Sequence, residues 1–365
     1  MNATFSSNDQ FPDPTLYVLS MHSFAAISIP LHALHVWAIV FRTPPYAKTY
    51  SNKLLHQIAW SFSTEFLLTS GITPVVILPV PAAYSEGFLR HLGISLQLQI
   101  IIGFTVIIEL GVTCVHLYYF RYITIITEDH LVKRKTSRTC RICGVLFVYS
   151  LPITLTPPIV YLSFPTQSLA KADAVKKYSY CLNPRLFNDE TFAFALQSDA
   201  TVPLLASEGI LALVFFVVIF FSLLFIYGSF KHSRISGMSS KTRYLQRRFY
   251  WAIAIQTSVY GIVFALPIFF LFVILILENL CIPGVTNFLI FILSTHSSCG
   301  TLANLIANQS YRRGVQELFM KAFFCLPGKS KSIKTEGIAH IEISTAGKHR
   351  KNVIVSQRTN TKLFS

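Results

Sequence analysis

Charge is what this 365-residue sequence has least of: Asp, Glu, Lys and Arg together make up 13%, about half the share usual for a soluble domain. Hydrophobic residues make up 52%, with 31 Phe among them. A soluble fold has too little interior to hide that much apolar side chain, whereas a bilayer supplies apolar solvent on the outside. The scarcity of charge therefore excludes a soluble enzyme, a disordered regulator and a disulfide-stapled secreted module. Also missing is any His-Glu-x-x-His helix or comparable pair at ligand spacing, so neither metal catalysis nor a cofactor is expected. No internal repeat is visible. The first 15 residues hold no Lys or Arg and lack the basic-then-apolar order of a secretory signal peptide, so the first apolar segment is expected to serve as an uncleaved signal anchor.

What is there is a series of long apolar runs. A hydrocarbon core about 30 Å thick needs roughly 20 apolar residues per helix, and helix is required because hydrocarbon offers the backbone no hydrogen-bond partner. Seven stretches meet that length: Leu16 to Phe41, Leu54 to Tyr84, Leu92 to Tyr119, Ile142 to Phe164, Val202 to Phe230, Phe249 to Leu277 and Thr286 to Asn308. Pro74, Pro79 and Pro81 predict a bend in the outer half of the second. The first is the weakest, because His22, Pro30, His32 and His35 interrupt it. An odd number of spans does not fit the even-numbered inverted repeats of many transporters.

The basic residues orient these spans. Segments 42–53, 121–141 and 231–248 and the chain from Arg312 onward hold 26 of the 31 Lys and Arg. The opposite side holds only Arg90, Lys171, Lys176, Lys177 and Arg185. The positive-inside rule then puts the N-terminus outside and the tail in the cytoplasm. The net charge of +15 is thus a topology signal and a surface for lipid or protein partners, not a nucleic-acid footprint. The fold class expected is an all-α membrane protein, a seven-transmembrane helix bundle over 16–311. It is preceded by an extracellular 1–15 and followed by an amphipathic eighth helix over 312–326 and a disordered cytoplasmic tail over 327–365. The eighth helix rests on Val315, Leu318, Phe319, Ala322 and Phe323 recurring at helical spacing.

Three segments carry a resemblance. The second span reads Leu54-Leu55-His56-Gln57-Ile58-Ala59-Trp60-Ser61, followed by Glu65, Pro74 and Pro79. The third inner segment reads Ser240-Lys241-Thr242-Arg243-Tyr244-Leu245-Gln246, followed by Phe249, Ala252, Gln256 and Pro267. The seventh span has Ser294-Thr295-His296 and closes on Ser310-Tyr311-Arg312. Together, over roughly residues 16 to 325, these resemble the nematode serpentine chemoreceptors of class H. The resemblance implies a chemosensory G-protein-coupled receptor of the plasma or sensory-cilium membrane, with an odorant or pheromone-like ligand and a heterotrimeric G protein as partners. There are departures: Tyr119 and Phe120 stand where the family tends to have an acid and an Asn before Arg121, and Ser310 stands where it has Pro. The rival readings are a ligand-gated channel-type odorant receptor, which would place the N-terminus inside, and an orphan membrane transporter.

Ionisable groups inside hydrocarbon are costly and each needs a reason. Glu65 and Glu109 each lie 12 residues from a basic inner-end residue, Lys53 and Arg121, so both sit about 18 Å from that end. They form a candidate switch or ion site if they meet, and two separate neutral hydrogen-bonded carboxyls if they do not. His296 marks the floor of a receptor's ligand cavity or is a packed neutral histidine. Glu208 faces either ligand or water. Arg121 is the candidate for G-protein coupling that the resemblance implies, with Lys241, Arg243 and Arg247 beside it, although topology and anionic lipid explain all four as well. Cys181 and Cys281, both in outer loops, are a possible disulfide. No cysteine lies between Phe88 and Ser95, so the disulfide common to rhodopsin-like receptors is not expected. Cys325 is a palmitoylation candidate or a free thiol, and Asn2-Ala3-Thr4 is a glycosylation sequon. Cys140 and Cys143 form a C-x-x-C pair without a second pair to complete a metal site.

Overall fold

The computed structural model describes residues 13–43, 48–125, 138–194, 254–277 and 280–324, together with isolated positions between 217 and 228 and Trp251. Helix α1 (Thr15–Arg42) begins where the Asp13 carboxylate accepts from the Thr15 backbone N–H and hydroxyl at 3.2 and 2.9 Å. Its buried residues Met21, Ala25, Ser28, His32, His35 and Ile39 recur every three or four positions, one stripe facing the bundle. Pro30 lies on the exposed face and is carried within the helix. Of the three histidines that weaken the first span by composition, His32 and His35 therefore lie on its inward face, and His22 is exposed, 3.2 Å from the Thr73 hydroxyl.

Helix α2 (Lys48–Phe66) continues as a π-helical turn, Leu67–Ile72, and stops there. The expected second span to Tyr84 is corrected: beyond Ile72 the chain is not a bent helix but an antiparallel hairpin of β1 (Pro74–Val76) and β2 (Ala82–Ser85). Proline disfavours helical geometry in the residue before it and removes donors, and Thr73, before Pro74, adopts φ 44°. The freed helix end is closed by the returning chain. Ser85 hydroxyl and Gly87 N–H donate to the Ile72 carbonyl at 2.6 and 2.9 Å, and Glu86 N–H donates to Thr73. A Cβ on Gly87 would fall 2.1 Å from the Gly71 carbonyl oxygen, so this approach requires glycine.

After the short α3 (Phe88–His91) come α4 (Leu96–Ile125), α5 (Arg138–Leu162), which carries three prolines, and α6 (Gln167–Lys177). Strand β3 (Phe192–Ala193) pairs with β2, giving the order β1-β2-β3. Gln167 closes the free edge of β3 like one further strand residue: its amide accepts from Ala193 N–H at 2.8 Å and donates to the Ala193 carbonyl at 3.1 Å. Sheet, α6 and the following loop share their own core, with Val75, Ile77, Val80, Tyr178 and Leu186 at its centre. This cap is cross-linked by Cys181–Cys281, Cα atoms 5.9 Å apart, within ordinary disulfide geometry.

Charges finish the cap. Glu86 receives Arg90 and Arg185, each at 2.9 Å, and Arg90 also pairs with Glu190. The Glu190 carboxylate raises the Arg90 pKa further above its ordinary range, while burial pushes the Tyr84 phenol up against the opposing pull of Arg185 over its ring.

Helix α7 (Ala254–Ile276) contains a second π-helical turn, Gly261–Ala265, and is followed by α8 (Pro283–Ser294), α9 (His296–Ala307) and α10 (Gln309–Phe324). The last overlaps the expected amphipathic segment. Among the described residues α1, Leu96–Phe120 of α4, Ile142–Leu162 of α5 and α7 are long and apolar enough to cross a bilayer. The pair α8–α9, bent by 41°, makes a fifth crossing if it is one broken span. Away from the cap, Ala38, Ile39, Leu54, Ile58, Leu117, Leu305 and Tyr311 form a second core joining α1, α2, α4, α9 and the start of α10.

Candidate functional site

The bend between α8 and α9 leaves the first-turn N–H groups of α9 to find acceptors among the buried side chains of the bundle. An acceptor comes from another helix. Glu65, fully buried on α2, accepts the Ser298 backbone N–H on Oε2 and the Ser298 hydroxyl on Oε1, both at 2.7 Å. Ser298 is the third residue of α9, so this carboxylate occupies the place of an N-cap side chain and sits at the positive end of the helix dipole. His32 Nε2 of α1 stands 3.3 Å from Glu65 Oε1 and 3.4 Å from the Ser297 hydroxyl. Thr301 Oγ1 lies 3.1 Å from His32 Nδ1 and 3.2 Å from His35 Nδ1. The result is a clamp in which α1 and α2 grip the N-terminus of α9.

A second polar layer adjoins it. Gln57 Nε2 donates to the Tyr260 hydroxyl at 2.8 Å, Gln256 Nε2 donates to Gln57 Oε1 at 3.1 Å, and the Ser61 hydroxyl lies 3.3 Å from Tyr260. This layer ties α7 to α2, and Tyr260 rests against Gly300 of α9, where a Cβ would come within 3.4 Å of its hydroxyl. Each π-helical turn starts beside this region, at Leu67 just after Glu65 and at Gly261 just after Tyr260. Such turns cluster at functional sites because they redirect side chains within a helix.

The expected site residues fall differently. His296, first residue of α9, donates its Nδ1–H to the Leu293 carbonyl at 2.9 Å, packs on Phe264 with ring centroids 5.0 Å apart, and has no partner for Nε2 among the described residues. Glu109 is buried on α4 with neither carboxyl oxygen hydrogen-bonded among the described residues. No hydrogen bond joins it to Glu65 there, and Glu65 is occupied by His32 and Ser298. Cys181 and Cys281 are bonded. Arg121 lies on α4 with its side chain outside the described residues. Glu208, Lys241, Arg243, Arg247, Cys325 and Asn2 also lie outside them. His32, His35, Ser298 and Thr301 were missed as site residues. Their one signal in sequence is the three-residue spacing of two histidines on an apolar helix, which reads equally as a weak span.

A sequence model of the family described as serpentine type 7TM GPCR chemoreceptor Srh matches residues 12–321. The chain belongs to this family. Serpentine receptor class H-72 of Caenorhabditis elegans is 23% identical over 297 residues, covering 81% of this chain and 83% of that protein. The Srh match begins before α1 and ends within α10, so it covers the residues of the clamp, the Tyr260 layer and the cap. The described helices supply four of the crossings of a seven-transmembrane receptor, or five if the bent pair α8–α9 is one span. The expected fifth span, 202–230, lies largely outside the described residues.

Proposed function

We propose that this Srh receptor binds an external small molecule, odorant or pheromone-like, between its helices and passes the event to a heterotrimeric G protein. The observation that supports the reading is the Glu65 clamp, a broken helix whose second half is held at its N-terminus by side chains of two other helices, and the reading makes this bend the element that shifts. His296 lies on the break itself. A ligand that engages the buried, unpartnered Nε2 of His296, with Glu208 as a second ligand-binding group, would favour one α8–α9 arrangement over the other. That is a population shift, with no chemical step. Glu65 then acts as the switch, Glu109 as a separate buried carboxyl of the same bundle, and Arg121, Lys241, Arg243 and Arg247 as the G-protein-facing surface.

The same reading puts the N-terminus outside, with Asn2 as a glycan acceptor, the tail in the cytoplasm with Cys325 as an acyl acceptor, and the receptor in the plasma membrane of a sensory ending. The test is expression with cAMP and calcium readouts against a volatile and pheromone panel. Responses are expected to disappear in Arg121→Ala at unchanged surface level, and an undiminished response removes Arg121 from coupling. Glu65→Gln, which keeps an acceptor but loses the charge, is expected to raise ligand-free output. Unchanged basal and stimulated output would remove Glu65 from switching.

A further inference from the structure

Cys140 and Cys143 take no part in the clamp or the cap, and their surroundings say what they face. Both are exposed, in the first two turns of α5. Three residues apart on a helix, they share one face. That face continues into Leu146, Phe147 and Ile153, whose side chains are 64%, 62% and 56% exposed. In a membrane-spanning chain such a stripe is a lipid-facing surface. The surface at Gly144 is open as well, since a Cβ there would meet nothing within 4 Å.

Depth along the helix is the second observation. The apolar stretch of α5 is Ile142–Leu162, 21 residues, or about one hydrocarbon thickness at helical rise. Cys143 is its second residue and Cys140 lies two residues before it, so both sulfurs stand at the boundary between lipid and water. Arg138 and Arg141 alternate with them in sequence, the charge expected beside an anionic leaflet.

We propose that Cys140 and Cys143 are S-acylated with long-chain fatty acyl groups, fixing the start of α5 at the membrane surface. A cysteine thiolate attacks the thioester carbonyl of a fatty acyl–coenzyme A. The new carbon–sulfur bond replaces the bond to coenzyme A, which leaves as a thiolate and takes up the proton the cysteine lost. One thioester is exchanged for another, so no oxidant or reductant is needed. The chain then lies in lipid along Leu146 and Phe147. The inference rests on the reading that this end of α5 is cytoplasmic, where acyl–coenzyme A is available.

The experiment uses the full-length receptor carrying Cys325→Ser in cells fed an alkynyl palmitate analogue. Hydroxylamine-sensitive label is expected to persist in that variant, to fall in Cys140→Ser and in Cys143→Ser, and to reach background when all three are replaced, at equal surface level. Absence of label in Cys325→Ser, or label unchanged by removing both Cys140 and Cys143, overturns the proposal. Orientation is read separately with a membrane-impermeant maleimide after hydroxylamine treatment. Labelling of the pair only after permeabilisation supports the cytoplasmic placement. Labelling on intact cells overturns that placement, and the acylation with it, for a reason the palmitate assay alone would not reveal.

Discussion

The cap and the clamp both use polar side chains to join segments far apart in the chain, yet they are made of opposite materials. The cap has a small apolar core, a disulfide and several ion pairs whose members are partly exposed, with Glu86, Arg90 and Arg185 at 23%, 35% and 41%. The clamp has one carboxylate, and its other members are neutral hydroxyls, histidine rings and a backbone N–H, all buried. Water competes for the ion pairs of the cap but not for the buried groups of the clamp. A polar contact of the same length therefore weighs little in one region and much in the other.

Replacing Glu65 with Leu should give the largest effect. It leaves the Ser298 N–H and hydroxyl without an acceptor, at about 1–3 kcal/mol for each unsatisfied donor. Melting of the purified receptor in detergent should fall steeply, with Glu65→Gln recovering most of the loss. Equal melting of wild type and Leu variant would erase the distinction between the two regions. Next comes Cys181→Ser or Cys281→Ser. The bridge closes a separation of 100 residues, and its loss should cost about 2–4 kcal/mol, seen as faster proteolysis of the cap. The smallest effect belongs to Glu86→Gln, at about 0–1 kcal/mol because its partners are partly solvated. What remains of that effect should shrink further as salt rises. A Glu86 effect as large as that of Glu65 would mean the cap is drier than its exposures indicate.

Legibility in the sequence followed the same division. Long apolar runs disclosed the crossings, because hydrocarbon demands length and composition whatever the neighbours are. The motif at Gln57, Glu65 and Gln256 identified the family, and Gln57 and Glu65 proved to be acceptors in the two polar layers. The cap was not legible. Pro74, Pro79 and Pro81 signal a break in the helix, but whether the chain bends or returns as a hairpin depends on strand β3, more than a hundred residues away. By composition His32 and His35 only weaken α1, since a single sequence does not say which face of a helix meets which partner.

Composition and the placement of Lys and Arg alone determined that this is a multi-span membrane protein, because solvent acts on every residue regardless of its neighbours. Only the tertiary structure decided that Glu65 belongs with His32 and Ser298, and that Glu109 stands apart from it. The reason is geometric. A hydrogen bond is made by atoms within about 3 Å of each other, and helices 33 and 233 residues apart along the chain are brought to that distance only by the packing of the whole bundle.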